Sequence, residues 1–313
     1  MVSHNRRREH KRSVLRERAE YSLVRLLLLP IRLASIRRVR RWGEALGSFL
    51  FRLVGRRTRL AVRNFRLAFP DRSEEEARRV VRDCWRHFLG ETLVYLRTLD
   101  QTPEELLARA ELRGRERVEE WIRRGRGIIV YTPHFGSWEA AAAMLSTFDI
   151  RFSVVARPLD NRLLHEELYR GRSRAGIEIV PRRAAGRAMM RALSEGQGVV
   201  VLPDQAVKPR EGILVPFLGR LAWTTPAPAR LALRFNAPLI GVFCIPTGDE
   251  TLRIELADPI FPDELPPEQR NLESITRLIN DRISERIRAH PHLWLWMHDR
   301  WKGVDAAEAR AGS

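Results

Sequence analysis

Short apolar runs alternate with stretches of helical periodicity over the C-terminal two thirds of the chain. The runs are four to eight residues long, which is typical of buried strands, and they lie at 127–131, 151–156, 177–180, 198–202, 238–245 and 252–256. Alternation of this kind predicts a mostly parallel central sheet flanked by helices. Leu272 to Arg288 has a helical period that ends before His290-Pro291, because the residue before a proline disfavours helix. We therefore predict an α/β domain over residues 123–303.

The N-terminal third has a different pattern, in which leucines and arginines are interleaved. Tyr21 to Pro30 is mostly apolar and apolar positions recur as far as Val54, but arginines interrupt them. No uninterrupted stretch reaches the ~20 apolar residues of a membrane-spanning helix. The pattern favours amphipathic helices that lie in the headgroup region of a membrane, with soluble packing of the helices as the alternative. We predict a flexible basic tail over 1–18, a helical membrane-associating arm over 19–122 and a polar tail over 304–313.

Two helix starts inside this arm are marked by residues that cap helices. Ser73 precedes an acidic first turn, and Thr102 precedes Pro103 and two glutamates. Ser and Thr accept hydrogen bonds from the first free amides of a helix, and proline suits the first helical position. Both positions therefore predict the beginning of a helix.

Positive charge is concentrated in the same N-terminal region. Residues 1–60 contain 17 Lys or Arg and 4 acidic residues, which is +13 of the formal net charge of +17. A basic arm indicates an anionic partner, which is nucleic acid, an acidic protein or the negative leaflet of a membrane. The sequence has no helix-turn-helix, zinc or RNA-recognition signature, and its arginines lie beside leucines. We therefore expect anionic membrane lipids and no nucleic acid.

The cysteines and other candidate ligands give no sign of a metal site. Cys84 and Cys244 are too far apart for a CxxC motif, and we expect both to be buried thiols in a reducing compartment. No set of His, Cys or carboxylate residues has metal-ligand spacing, and neither a GxxxxGK[ST] loop nor a strand-linked GxGxxG occurs. The sequence predicts chemistry without a metal or a bound cofactor.

A histidine and a carboxylate directly follow the first apolar run. Thr132-Pro133-His134-Phe135-Gly136-Ser137-Trp138-Glu139 leads into an alanine-rich helix that Ser137 is well placed to cap. Active sites of open α/β sheets lie at such carboxyl ends of strands. An imidazole can take a proton from an alcohol while a carboxylate holds its other ring nitrogen. His134 is therefore the candidate general base, Glu139 its candidate partner, and the loop amides around Gly136 are candidate oxyanion donors.

The spacing of this pair resembles the His-x4-acid signature of glycerolipid acyltransferases. His-Phe-Gly-Ser-Trp-Glu is similar to the His-Phe-Gly-Asn-Trp-Glu form of bacterial lipid A biosynthesis acyltransferases of the lauroyl/myristoyl type, and Ser137 in place of Asn is the one departure. Further segments agree in order between about residues 45 and 302: Arg57 to Pro70, Arg157-Pro158-x-x-Asn161, Arg172-x-x-x-Gly176, Asp204-Gln205, Val215 to Gly219 with Ala222-x-Thr224, and His290 to Lys302.

The resemblance implies an O-acyltransferase that moves a fatty acyl chain from acyl carrier protein to a hydroxyl of a lipid A precursor. This reaction belongs to lipopolysaccharide biosynthesis at the cytoplasmic face of the inner membrane. The thioester of acyl carrier protein is the donor, a glycolipid is the acceptor, and no covalent enzyme intermediate is required. Acylation of another glycolipid or phospholipid headgroup is the close alternative. Two more distant functions also fit these residues, namely a hydrolase that uses the same pair and a protein that binds nucleic acid, which the pI of 11.2 suggests.

The resemblance also places several further residues in the substrate cleft. Arg157 and Arg172 are candidate ligands of an acceptor phosphate, or they form ordinary ion pairs. Asn161 orients a loop or caps the helix that begins at Arg162. Asp204 and Gln205 enter the cleft or form a turn after their strand.

Apolar residues further along the chain allow two interpretations. One set either lines an acyl channel or belongs to the core: Phe217, Leu218 and Trp223. The other set either forms an interfacial belt or packs against the preceding helix: Trp294, Trp296 and Trp301.

Overall fold

The computed structural model describes residues 14–123, 125–156, 159–174 and 176–304. In chain order the main elements are α1 (Val14–Leu33), α2 (Ile36–Leu53), α3 (Gly55–Ala68), α4 (Glu74–Thr98), α5 (Pro103–Leu107), β1 (Ala110–Arg113), α6 (Glu116–Arg123), β2 (Ile128–Tyr131), α7 (Trp138–Leu145), β3 (Phe152–Ala156), α8 (Arg162–Arg174), β4 (Ile177–Pro181), α9 (Ala185–Ser194), β5 (Gly198–Val201), β6 (Ile213–Phe217), β7 (Arg220–Thr224), α10 (Ala227–Phe235), β8 (Leu239–Pro246), β9 (Leu252–Leu256) and α11 (Leu272–Ala289).

Seven strands form one sheet in the order β1-β9-β8-β2-β5-β3-β4. Every neighbouring pair is parallel except β8 and β9, which are antiparallel. The predicted α/β fold with a mostly parallel sheet is therefore confirmed, and each of the six predicted strands ends within one residue of an observed strand. The predicted helix over 272–288 is α11. The sequence pattern missed the edge strand β1 and the separate antiparallel hairpin of β6 and β7.

The register of β2 and β5 brings two loops together at one edge of the sheet. These strands are parallel neighbours, and Tyr131 pairs with Val201 at their carboxyl ends. His134 lies three residues beyond Tyr131, and Asp204 lies three residues beyond Val201. The two side chains therefore leave adjacent strands at the same level, although 70 residues separate them in the chain.

Helix α2 packs against α4 so closely that their backbones touch. A Cβ atom added to Gly43 would lie 2.5 Å from the carbonyl oxygen of Leu89, and one added to Gly47 would lie 2.4 Å from that of Trp85. Only glycine leaves room for such an approach. The contact makes α2 and α4 a single packed unit.

The predicted division at residues 122 and 123 is wrong in one respect, because β1 belongs to the sheet although it lies inside the predicted arm. Helices α3 and α4 also share the main core with the C-terminal segment: Phe65 packs on Trp296 with ring centroids 5.2 Å apart, and the Cys84 thiol lies 3.0 Å from the Trp294 carbonyl oxygen. These helices are part of the globular body and not a separable arm.

The two chain ends differ from the predicted tails where they are described. Residues 14–18 are helical, so the predicted tail over 1–18 is wrong for its last five residues, while 1–13 lie outside the described residues. Val304 is buried, and 305–313 also lie outside the described residues.

The predicted helix starts and buried cysteines are confirmed. Ser73 accepts a hydrogen bond from the Glu76 amide, and Thr102 forms a reciprocal capping box with Glu105. Cys84 and Cys244 are both buried free thiols.

Most of the exposed large apolar side chains in the described ranges lie on the first two helices. They are Leu23, Leu26, Leu27, Leu29 and Leu33 on α1 and Trp42, Leu46, Phe49 and Leu53 on α2, whereas the other elements contribute Leu159 and Leu221. Exposed arginines, among them Arg25, Arg38 and Arg41, lie on the same helices. Of the helices described, none has the length and apolar character needed to cross a membrane.

Candidate active site

His134 is held by a carboxylate from the neighbouring strand loop. Its Nδ1 lies 2.9 Å from Oδ1 of Asp204, and its backbone amide donates to Oδ2 of the same residue over 3.0 Å. Because the carboxylate accepts from Nδ1–H, the lone pair of the neutral ring lies on Nε2. The His134 side chain is 23% exposed while that of Asp204 is 1% exposed. The arrangement is a partly accessible base backed by a buried carboxylate.

Asp204 stays ionised in the interior because donors surround it. The Trp294 indole donates to Oδ2 over 2.8 Å, in addition to the two His134 donors. Burial raises the pKa of the Asp204 carboxyl, but the charge of His134 and these hydrogen bonds together hold the pKa below its ordinary value. The guanidinium of Arg300 is fully buried nearby, and burial lowers the pKa of Arg300 to about 10, against the opposing charge of Asp204.

The same interaction raises the pKa of His134. Burial alone lowers it, but the charge and hydrogen bond of Asp204, with a smaller contribution from the charge of Glu139, bring the His134 pKa above its ordinary value of 6.5. An imidazole with a raised pKa is a stronger base once it is neutral, which suits the removal of a proton from an alcohol.

The expectation that Glu139 orients His134 is not met, because Asp204 occupies that position. Glu139 is instead bound by two nitrogens of Arg172, at 2.6 Å from Nη2 and 3.2 Å from Nε. This is the paired geometry in which guanidinium binds carboxylate most strongly. Arg172 therefore forms the ion pair that was the alternative to phosphate binding, and Glu139 acts on His134 through charge alone.

The backbone of the His134 loop is fixed by protein acceptors. Gly136 has φ of +57°, and a Cβ atom there would lie 1.8 Å from the Cys244 carbonyl oxygen, so only glycine fits. Its amide donates to the carbonyl of Leu293, and the Ser137 amide donates to that of Cys244. The expectation that the Gly136 amide faces an oxyanion is therefore wrong, because this donor is already used.

An apolar cavity of about 210 Å³ opens beside His134. Its polar lining residues are Thr132, His134, Glu139 and Arg172. The remaining lining is mainly aliphatic and comes from β2, β3, β4, β5, β8 and α7: among others Val130, Leu145, Val154, Ile177, Val200 and Val242. The site thus combines a base, an ion pair and a space suited to hydrocarbon.

Comparison with known proteins agrees with this geometry. The family described as bacterial lipid A biosynthesis acyltransferase matches residues 7–303. This chain belongs to that family. The resemblance found in the sequence is therefore confirmed.

Two relatives of this acyltransferase come from Escherichia coli K12 and a third from a mycobacterium. The lipid A biosynthesis lauroyltransferase is 28% identical over 264 residues, which is 84% of either chain. The lipid A biosynthesis myristoyltransferase is 24% identical over 253 residues, 80% of this chain and 77% of the relative. The phosphatidylinositol mannoside acyltransferase of Mycolicibacterium smegmatis is 26% identical over 191 residues, 60% of each chain.

Gln205 of this acyltransferase lies beside His134, at the place where the sequence allowed either a cleft residue or a turn. Its amide nitrogen is 3.4 Å from Nε2 and 3.5 Å from Nδ1 of His134. Nearly equal distances to both nitrogens place the amide over the face of the ring and not on the axis of the Nε2 lone pair. Gln205 therefore leaves the basic lone pair accessible while it supplies a donor beside it.

Asn161 caps a helix and does not line the cavity beside His134. Its side-chain oxygen accepts from the amides of Leu163 and Leu164 of α8 at 3.1 and 3.2 Å, so the helix-cap interpretation is correct for it. Its amide also donates to Glu17 and Glu20, which ties α1 to α8. Arg157, the other predicted ligand from this segment, lies outside the described residues.

The ambiguous apolar residues mostly belong to the core of this family member. The buried ones are Phe217, Leu218, Trp294, Trp296 and Trp301, whereas Trp223 is partly buried. None of them lines the cavity beside His134. The core interpretation is therefore correct for the first set, and packing, not an interfacial belt, is correct for the C-terminal tryptophans.

A buried polar chain that the sequence pattern did not predict lies behind the loop of His134. Ser137 does not cap α7; its hydroxyl donates to Glu91 of α4, whose other oxygen binds the Arg40 guanidinium. Arg40 also donates to the Asp249 carbonyl over 2.8 Å. A lone glutamate among the apolar residues of α4 was the available signal. The chain connects α2, α4 and the loop that carries His134.

No three His, Cys or carboxylate side chains converge as a metal site within the described ranges of the chain.

Proposed function

We propose that this chain transfers a fatty acyl group from acyl carrier protein to a hydroxyl of a lipid A precursor. The observation that carries the proposal is His134, backed by the buried Asp204 carboxylate at the mouth of an apolar cavity. Membership of the lipid A biosynthesis acyltransferase family supports the same conclusion. A glycolipid is then the acceptor, and the thioester is the only activated group required.

The reaction follows from the state of the ring. Nε2 of neutral His134 takes the proton of the acceptor hydroxyl. At the same time the oxygen of that hydroxyl attacks the carbonyl carbon of the thioester. The charge of the resulting imidazolium is stabilised by Asp204, and to a smaller extent by Glu139. The carbon–sulfur bond then breaks, the sulfur takes the proton from Nε2, and the products are an ester and the free thiol of the carrier. The reaction requires no nucleophile from the enzyme.

The oxyanion needs donors other than Gly136. The Gln205 amide lies beside His134 and can donate to a carbonyl oxygen held there. The amides of Trp138 and Glu139 are in the first turn of α7, where a helix has no internal acceptors for them. We assign stabilisation of the oxyanion to the Gln205 amide and to the backbone amides of Trp138 and Glu139. We place the acyl chain in the apolar cavity.

Transfer tests the proposal directly. Purified protein supplied with acyl carrier thioester and lipid A precursor should release carrier thiol and give a lipid heavier by one acyl group. His134→Ala should lower the rate by roughly 10²–10⁴-fold, because the base is lost. Circular dichroism should show an unchanged fold. A rate retained by a folded His134→Ala protein would remove His134 from the mechanism.

The acceptor is the part of the proposal that has a specific competitor. The mycobacterial relative is named for phosphatidylinositol mannoside, so another glycolipid or a phospholipid headgroup is the competing acceptor. Mass spectrometry of total lipids from cells with and without the protein distinguishes them, because only the true acceptor gains one acyl mass. Thiol release at an equal rate without any acceptor would instead indicate a hydrolase.

We further propose that α1 and α2 seat the protein peripherally on the cytoplasmic face of the inner membrane. Exposed leucines and aromatic residues on these helices alternate with arginines, which is the composition of helices that bind anionic lipid surfaces. Burial of each leucine side chain contributes about 1.5–3 kcal/mol. This seating would give the catalytic site access to a lipid alcohol.

Vesicle sedimentation tests this seating. Leu26→Glu with Leu27→Glu should reduce partitioning into anionic vesicles on the order of 10²–10⁴-fold, because two leucines that would enter the lipid are lost and two negative charges are added. The matched control, Leu159→Glu with Leu221→Glu, alters two exposed leucines elsewhere and should bind as the parent does. Equal binding of all three proteins would contradict a role for α1 in membrane association.

A further inference from the structure

A wide cationic groove lies next to the Asp204–Gln205 loop and is lined by the residues that directly follow Gln205. It has a volume of about 740 Å³ and lies between the beginning of α3, the loop at 206–209 and the segment at 298–303. Its basic lining residues are Arg56, Arg57, Lys208 and Lys302, and Asp299 is its one acidic lining residue. The proposed acyl transfer at His134 makes no use of this groove.

The basic residues of the groove are exposed, and most of them form no ion pair with a described carboxylate. Among the described residues, no carboxylate forms an ion pair with Arg56, Lys208 or Lys302. Arg57 donates to the Met297 carbonyl, which fixes it without neutralising its charge. Like charges that converge without local neutralisation raise the potential in a groove and attract an anionic partner.

Helix α3 extends the same charge beyond the groove. It carries five arginines and no acidic residue, and all five are exposed, although Arg66 pairs with Glu74 of α4 over 3.5 Å: Arg56, Arg57, Arg59, Arg63 and Arg66. None of the exposed large apolar residues of the described ranges lies on α3, the 206–209 loop or the 298–303 segment. This surface therefore differs from α1 and α2, where arginines and exposed leucines occur together. Charge without apolar side chains fits a soluble acidic partner better than a membrane interior.

The groove is coupled to the active site through short contacts. Ala206 directly follows Gln205, and its amide donates to Nε2 of His298 over 3.1 Å. Burial lowers the pKa of His298, so the ring is a neutral acceptor that fixes the loop. A partner bound in the groove would lie beside the loop that holds the donors of the site.

We propose that this groove and the exposed arginines of α3 form the docking surface for the acidic face of the carrier protein that delivers the acyl thioester. The proposal rests on the proposed function, which requires a carrier-bound donor. A carrier presents its thioester on a flexible prosthetic arm, so its body binds at one surface while the thioester reaches His134. The charge of the groove supplies the recognition, and the apolar cavity supplies the space for the chain.

The test compares a donor that has a protein body with one that lacks it. Arg56→Glu with Lys208→Glu reverses two exposed charges that line the groove and that touch no catalytic residue in the structure. With acyl carrier protein as donor, KM should rise about tenfold at low salt, and the difference should shrink at high salt. With acyl-phosphopantetheine of the same chain length, KM and kcat should stay within about twofold of the parent, because this donor has the arm and its phosphate but no protein surface.

The matched control is Arg187→Glu with Arg230→Glu, which makes the same change in net charge on α9 and α10, outside the groove. It should leave both donors unaffected. Binding of holo carrier protein, measured without turnover, should weaken in the groove variant and not in the control. Because binding is measured directly, a parent that binds the carrier but transfers nothing would refute the proposed function and leave the docking surface supported.

Three results would overturn the docking surface. Equal loss with both donors would assign the groove to the thioester arm or its phosphate. A raised KM for the glycolipid acceptor, with carrier binding unchanged, would assign it to the phosphates of a lipid headgroup. Carrier binding unchanged in the groove variant, or equally weakened in the control, would show that this surface does not recognise the carrier.

Discussion

Two carboxylates act on His134, and they differ in exposure, in contact with the ring and in their other partners. Asp204 is buried, bonded directly to the ring and surrounded by donors. Glu139 is 25% exposed and neutralised by paired bonds from Arg172. The carboxylate close in sequence is thus the remote one in function, and the carboxylate 70 residues away holds the ring. Two residues that are close along the chain share a loop or a turn of helix. Whether distant residues are close in space depends on which strands are neighbours in the sheet.

The difference assigns separate tasks to the two groups. Asp204 fixes the tautomer and orientation of His134, which requires direct contact. Glu139 contributes charge to the imidazolium and holds Arg172 at the wall of the cavity. We therefore expect the two carboxylates to give different results when each is neutralised without loss of volume.

Asp204→Asn should produce the largest effect. An amide at this position cannot stabilise the imidazolium and favours the wrong tautomer, so kcat should fall on the order of 10²–10⁴-fold. Steady-state kinetics with acyl carrier thioester and acceptor lipid measure this loss, and substrate affinity should change little. A rate close to that of the parent would mean that the bond between Asp204 and His134 has no catalytic role.

Glu139→Gln should have a smaller effect on the rate, because the charge of Glu139 is already neutralised by Arg172. Loss of an ion-paired hydrogen bond at a partly exposed site should lower kcat/KM by about tenfold. In the Glu139→Gln background, Arg172→Gln should add little, because both changes remove the same interaction. Strictly additive losses in this double-mutant cycle would show that Glu139 acts independently of Arg172. A loss as large as that of Asp204→Asn would reverse the proposed ranking.

The pH dependence should show the finest difference between the two carboxylates. His134 must be neutral to accept a proton, so the rate of the parent should fall as the pH drops through a His134 pKa that lies above 6.5. Removing either negative charge lowers that pKa and moves the acid limb to lower pH. The shift should be larger for Asp204→Asn than for Glu139→Gln, because Asp204 raises the pKa more. An acid limb at the same pH in all three proteins would belong to a group other than His134.

The sequence predicted the central strands well because each is a continuous apolar run between polar segments. It missed β1, whose Ala-Glu-Leu-Arg sequence carries two charges in four residues, and β6, which contains a proline. Such short and mixed segments form strands because a neighbouring strand or hairpin partner completes their hydrogen bonds. Their local sequence carries little of that information.

The site was predictable as a set of residues but not as a set of contacts. His134 is assigned to the cleft from its place after a strand, whereas Asp204 and Gln205 are candidates for the cleft with a turn as the alternative. The bond between His134 and Asp204 depends on β2 lying beside β5, and strand order is not written in local periodicity. Likewise, Ser137 had the position of a helix cap, but a buried glutamate on α4 attracts its hydroxyl. Long-range partners decided each correction.

The glycine contact between α2 and α4 fixes the distance between the apolar face of α2 and the loop of His134. Two helices that meet backbone to backbone have no layer of side chains between them that can slide, so they move as one rigid strut. One side of this strut carries the leucine and aromatic face of α2, and the other supports the loop of His134 through Glu91. The proposed seating of this apolar face in lipid would make the height of the imidazole above the bilayer a constant of the fold. Only an alcohol presented at that height would then react.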